Sequence, residues 1–294
     1  MSLALTSATR LDRRSDRPPV TVVVAGLLVA AIVVVAAVAP AIAPYDPLDQ
    51  DLLALNQAPS AAHWLGTDHI GRDVLSRLLV GTRTTLLIGV GGAAIASLIG
   101  GGIGLVALAL GRVADTLVFG AVDLVRALPP ILLALLLVVA LGAGVGSVAI
   151  ALGLSFAPFF AYVARAAYRR EMAQDYVVAA RTFGGGPLHV LGLHVLPNLA
   201  GALITQAAIV LPRCIVTESV LSFLGLGSSP DAPTWGRMVA DSSRYIEIAP
   251  HAILAPVIAI VVLTASLSLI GDDLRHRLDP LRHARGAAGP EPQP

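Results

Sequence analysis

The sequence predicts an all-α integral membrane protein with six transmembrane helices, and three features predict it. Apolar residues make up 56% of the 294 positions and charged residues only 13%, a balance foreign to water-soluble domains. Six long apolar runs recur along the chain, and a segment crossing hydrocarbon must satisfy its own backbone, which takes a helix of about 20 apolar residues. Arginines gather in alternate connections between those runs, the asymmetry of a multi-pass topology.

The first helix is expected over 20–39, within a segment 20–43 that follows a cytoplasmic tail at 1–19. Arg13 and Arg14 before it and Ala41 and Ala43 after it would also suit a cleaved signal peptide. Its 20-residue apolar run exceeds the roughly 7–15 residues of a signal core, so it is read as a retained helix. Residues 44–85 read as an external loop and 86–110 as the second helix. There Gly92, Ala96, Gly100 and Gly104 recur every four residues and form a flat ridge that another helix can approach closely.

The third helix is expected over 117–141, although Asp123, Arg126, Pro129 and Pro130 interrupt it. The fourth follows over 145–166, the fifth over 199–221 with Pro212, Arg213 and Glu218 inside it, and the sixth over 252–270. The stretch 86–271 is one core domain with a cytoplasmic loop at 172–198, and 272–294 is a second cytoplasmic tail. Between the fifth and sixth helices, Gly225, Gly227, Pro230, Pro233 and Trp235 mark an external cap, with Trp235 and Tyr245 suited to the interface. Placing both termini inside leaves thirteen arginines in cytoplasmic segments against five outside, the bias retained by short cytoplasmic loops.

Several function classes are excluded by composition. All 20 basic residues are arginine, so the chain has neither a phosphate-loop lysine nor a Schiff-base lysine. A net charge of +1 gives no footprint for nucleic acid, and the single cysteine, Cys214, cannot form an intrachain disulfide. The seven histidines form no metal-ligand pattern, so no metal site, bound cofactor or enzyme activity is expected.

The segment 175–198 is polar, arginine-bearing and glycine-broken, yet lies between two apolar runs. Gly184-Gly185-Gly186-Pro187 must end a helix that reaches Phe183, giving a helix, a turn and a second short amphipathic stretch. Ala179 and Ala180 keep its surface low enough for another protein's groove; an amphipathic loop lying on lipid is the plainer alternative.

These residues carry a resemblance. Ala179-Ala180, Gly184 and Leu196-Pro197 resemble the EAA signature of ABC importer permeases, with Val178 where the signature glutamate is expected and His194 where isoleucine is usual. The block from Leu65 to Arg77, followed by Gly81-Thr82-Arg83, is similar to the GTDxxGRDxxSRxxxGxR block of peptide and nickel importer permeases of the DppC/OppC type. The run from Leu221 to Gly227, Trp235-Gly236, the run from Gly271 to Arg275 and Leu278-Asp279-Pro280 extend the similarity.

The resemblance implies a type I ABC importer permease fold in the plasma (inner) membrane and a non-catalytic subunit that works by alternating access. The implied partners are a homologous second permease of the DppB/OppB type, two ATPase subunits or a fused pair, an extracellular or periplasmic binding protein, and membrane lipid. ATP and Mg then belong to the partners, and docking to Tyr176, Ala179, Ala180, Arg181, Gly184, Pro187, Leu196 and Pro197. Di- or oligopeptides are the expected substrates; nickel or another solute stays open.

Two further groups of charges stand out. Asp68, Arg72, Asp73, Arg77 and Arg83 are expected as exposed pairs contributing tenths of a kcal/mol each. They either orient the loop or, with Trp235, touch a delivering protein or the neighbouring permease. Arg213, Glu218 and Arg126 are charges inside apolar runs, where each faces a partner, water or a pathway. They line a translocation path or pair within the assembly, for instance with Asp123. They also leave open an ATP-independent secondary transporter, a class that often shows internal repeats not seen here.

Overall fold

A computed structural model describes residues 18–184, 186, 191–229 and 232–278. Helices α1 (Val20–Ile42), α2 (Val74–Ala109), α3 (Arg112–Arg126), α4 (Pro130–Leu141) and α5 (Val145–Met172) precede a short α6 (Asp175–Thr182). A π turn (Leu191–Val195) leads into α7 (Leu196–Phe223), then α8 (Trp235–Ser242), a 3-10 turn (Ser243–Tyr245) and α9 (Pro250–Leu278). No strand occurs among the described residues, and α1, α2, α5, α7 and α9 are each long and apolar enough to cross a membrane.

Helices α3 and α4 meet at 88° and make a sixth span if the bent pair is counted as one. The helix expected over 117–141 is divided at the prolines that interrupt it. Pro129 caps α4 and Pro130 occupies its first turn, where a missing N–H costs nothing, whereas within a continuous helix it would break the ladder.

The second helix also differs, starting at Val74 rather than at 86. Asp73 caps it, accepting from the Ser76 N–H and hydroxyl at 2.7 Å each. The residues 74–85 that read as the end of an external loop are therefore its first turns.

The α2–α5 pair forms the centre of the bundle. A Cβ at Gly104 would lie 2.7 Å from the Ala161 carbonyl oxygen and 2.8 Å from Ala164 Cβ, and one at Gly100 would overlap the Ala157 carbonyl. The four-residue ridge thus packs directly on α5, with Ile88, Ala96, Leu152, Phe156 and Phe160 buried around it. We expect Gly100→Leu to lose about 1–3 kcal/mol through overpacking, read as a fall in monodisperse protein recovered in mild detergent. Helix α1 lies at the periphery against α2 and α9, and leaves Val20, Leu27 and Val34 exposed, as lipid or a partner chain requires.

Candidate functional site

Two residues after α5 ends, α6 begins, with Gln174 accepting the Val177 and Val178 N–H groups at 3.0 and 3.1 Å. Its inner face buries Val177 with Val195, and Ala180, Tyr168, Met172 and Leu191 pack around that pair. The outer face carries Tyr176, Val178 and Phe183, the last 90% exposed. Ala179 is exposed between them, and Leu196 and Pro197 are exposed in the first turn of α7. Gly184 has φ +87° with no heavy atom near its would-be Cβ, so glycine is required there by the left-handed backbone that ends α6, not by crowding. The Arg181 side chain and Pro187 lie outside the described residues.

Beneath α6 the carboxylate of Glu171 is buried. It accepts from the Tyr176 hydroxyl, from Asn198 Nδ2 at 3.2 Å and from Arg170 Nη2 at 3.2 Å. Asn198 also donates to the Tyr176 oxygen at 3.1 Å. One carboxylate therefore ties the end of α5, the first turn of α6 and the start of α7. The hydrogen bond to Glu171, followed by burial and the neighbouring negative charge, raises the Tyr176 hydroxyl above its ordinary value, so the phenol remains a donor.

At the opposite end, Asp68, Arg72, Asp73, Arg77 and Trp235 are all buried, which corrects the expectation of exposed pairs. Asp68 accepts from the backbone N–H of Ile70 and Arg72 at 3.0 Å, from Arg72 Nε at 2.7 Å, and from Arg77. Asp241, in α8, accepts from Arg72, Arg77 and Arg237 at 3.0–3.1 Å. Burial alone would raise both carboxyls, but the surrounding arginines hold them below the ordinary value.

His63 bonds the Asp73 cap at 2.9 Å, and Trp235 donates its ring N–H to the Leu78 carbonyl at 3.1 Å. These residues clamp segment 44–73 and α8 onto the first turns of α2. Surface placement is corrected by a partner, Asp241, that lies far away in sequence.

The intramembrane charges separate. Glu218 is fully enclosed, accepting from Ser222 at 2.7 Å and Ser219 at 3.4 Å, with the Thr234 hydroxyl also bonded to it. Its carboxylate lies among these hydroxyls and not in the cavity that holds Arg213. Arg213 is exposed in a cavity of about 750 Å³ together with Ile131, Phe156, Phe159, Thr264 and Ser268. Arg126 stands over the Tyr162 ring at 5.0 Å and the Phe159 ring at 6.0 Å, while Tyr162 bonds Asp123. Neither Asp123 nor Arg126 pairs with Arg213 or Glu218.

Sequence reasoning missed Glu171, Asn198 and Asp241. A carboxylate one residue from the end of a long apolar helix was a signal for Glu171, and the four-residue spacing of Arg237 and Asp241 was one for the clamp. Asn198 offered none. No group of three or more potential metal ligands occurs among the described residues.

Residues 103–283 match the family described as binding-protein-dependent transport system inner membrane component. Residues 21–59 match the N-terminal TM domain of oligopeptide transport permease C. A putative peptide permease protein of Brucella suis is 38% identical over 81% of this chain and 79% of its own. The di/tripeptide transport system permease protein DppC of Pseudomonas aeruginosa is 39% identical over 82% of each chain.

A chain of the MetNI methionine ABC transporter, in an inward-facing conformation, superposes with a TM-score of 0.58 at 19% identity. The match covers 70% of this chain and 97% of that one. The fold is that of type I ABC importer permeases, and the long apolar helices make this a multi-pass inner-membrane protein. This chain belongs to the family of binding-protein-dependent transport system inner membrane components.

Proposed function

We propose that this chain forms half of a membrane pore through which di- or oligopeptides are imported, and that ATPase subunits drive it through the loop at 175–198. The observation that carries the proposal is the outward face of α6. Tyr176, Val178 and Phe183 stand exposed there while Glu171 and Asn198 hold the helix rigidly to α5 and α7. An apolar face fixed to two membrane helices transmits rigid-body movement without chemistry of its own. Val178, in the place of the signature glutamate, makes this contact apolar rather than ionic.

A second permease completes the pore along the shared membrane face, and a binding protein delivers substrate at the end closed by segment 44–73 and α8. Both termini and the 175–198 loop then face the cytoplasm, in keeping with the arginine bias. ATP and Mg reside on the ATPase partners, and the permease itself holds no cofactor. The peptide class is supported by the names of relatives that align over most of their length.

The test is purification of the tagged chain from its native host in mild detergent, with co-purifying proteins identified by mass spectrometry. A second permease and ATPase subunits are expected. Gly184→Leu, strained by about 1–2 kcal/mol at a left-handed position, is expected to release the ATPase subunits and retain the second permease. Purification of the chain alone, with transport in liposomes that needs no ATP, would refute the proposal.

A further inference from the structure

The cavity around Arg213 is walled by α4, α5, α7 and α9. Its walls come from the first turn of α4, the middle of α5 and α9 and the second half of α7, all within apolar stretches long enough to cross hydrocarbon or, for α4, within the bent pair it forms with α3. A guanidinium within such a stretch is unfavourable unless a counter-charge or water meets it. Arg213 forms no ion pair or hydrogen bond with any other described residue, and Glu218 on the same helix is enclosed elsewhere by Ser219 and Ser222.

The remaining polar groups of the cavity have a definite sense. Thr264 donates its hydroxyl hydrogen to the Ile260 carbonyl at 2.7 Å, and Ser268 donates to the Thr264 carbonyl at 2.8 Å. Their hydrogens are engaged within α9, so what they offer the cavity is acceptor oxygen. One cation, acceptor oxygens and apolar walls from Ile131, Phe156 and Phe159 complement a molecule with a carboxylate, N–H donors and variable apolar groups. A volume of about 750 Å³ is within the range of small-molecule sites.

We infer that Arg213 receives the free C-terminal carboxylate of the peptide within the membrane, while Thr264 and Ser268 accept from its N–H groups. The inference rests on the peptide reading above and adds the residue that recognises the substrate's charged end. Because the bonds are few and the cavity is open on one side, the substrate is held long enough to be oriented and is then released.

The experiment uses the complete complex with its binding protein in proteoliposomes, with dialanine and its C-terminal amide as probes. The readout is peptide taken up per ATP hydrolysed. In Arg213→Gln, dialanine uptake per ATP is expected to fall about tenfold or more, the effect of losing one charge-assisted hydrogen bond. Arg213→Lys is expected to recover most of it, and uptake of the amide is expected to be equal in wild type and Arg213→Gln. Subunit co-purification is measured alongside.

Dialanine uptake per ATP unchanged in Arg213→Gln overturns the assignment alone. Equal losses in Gln and Lys variants, with the second permease no longer co-purifying, overturn it in favour of a structural pair with that subunit. A wild-type complex that hydrolyses ATP and carries neither probe overturns the peptide reading, and this inference with it.

Discussion

Asp68→Ala is expected to destabilise the end of the bundle that carries segment 44–73 by about 3–5 kcal/mol, the penalty for stranding a buried charge. Asp68 is the acceptor shared by Arg72 and Arg77, and without it two buried guanidinium groups face each other with Asp241 as their common counter-ion. Replacing both partners, as in Asp68→Leu with Arg77→Met, removes the stranded charge and is expected to cost less than either single change. Thermal unfolding of the purified complex in detergent measures all three variants. Single variants within about 1 kcal/mol of wild type would mean that water reaches the cluster.

The same clamp predicts a pH response. The Asp68 and Asp241 carboxyls are held below their ordinary value near 3.8, so their contribution is complete above that value and is lost as pH falls through the lower folded-state values. Stability at this end is expected to be flat from pH 7 to about 4 and to drop only in stronger acid.

Glu171→Gln is expected to leave assembly intact and to uncouple ATP hydrolysis from uptake. The packing of Val177 against Val195 is untouched, but the charged acceptor of the Tyr176 and Asn198 bonds is lost. Hydrogen bonds to a charged group are worth about 1.5–3 kcal/mol each, so the loop gains freedom relative to α5 and α7. Uptake per ATP is expected to fall about tenfold or more, and Tyr176→Phe, which removes one bond of the network, to fall less. An unchanged ratio in Glu171→Gln would show that α6 is held by its apolar contacts alone.

Much of the fold was legible because hydrocarbon imposes a length that composition records directly. The small-residue ridge from Gly92 to Gly104 was legible for a similar reason, since a close helix contact needs small residues at a regular interval. Pro129 and Pro130 were visible as interruptions, but the 88° turn they permit was hidden by apolar runs on both sides. The true start of α2 was concealed by Arg77, whose charge suggested water. Its counter-ion Asp241 lies 164 residues away, and no local pattern predicts a partner at that separation.

The end of α6 was readable from Gly184, while the carboxylate that holds this helix, Glu171, lies before the motif. Arg213 and Glu218 were readable as intramembrane charges. Their five-residue spacing already placed them on different faces, and the hydroxyls of Ser219, Ser222 and Thr234 decide which of the two is hidden.

The length of α2 has a mechanical consequence. Its 36 residues extend about 54 Å at the helical rise, against about 30 Å of hydrocarbon. One continuous helix therefore runs from the ion cluster at one end, through the glycine contact with α5, to the far end of the bundle. The contacts that fix segment 44–73 and the contacts that hold α5 are thus carried by one and the same helix.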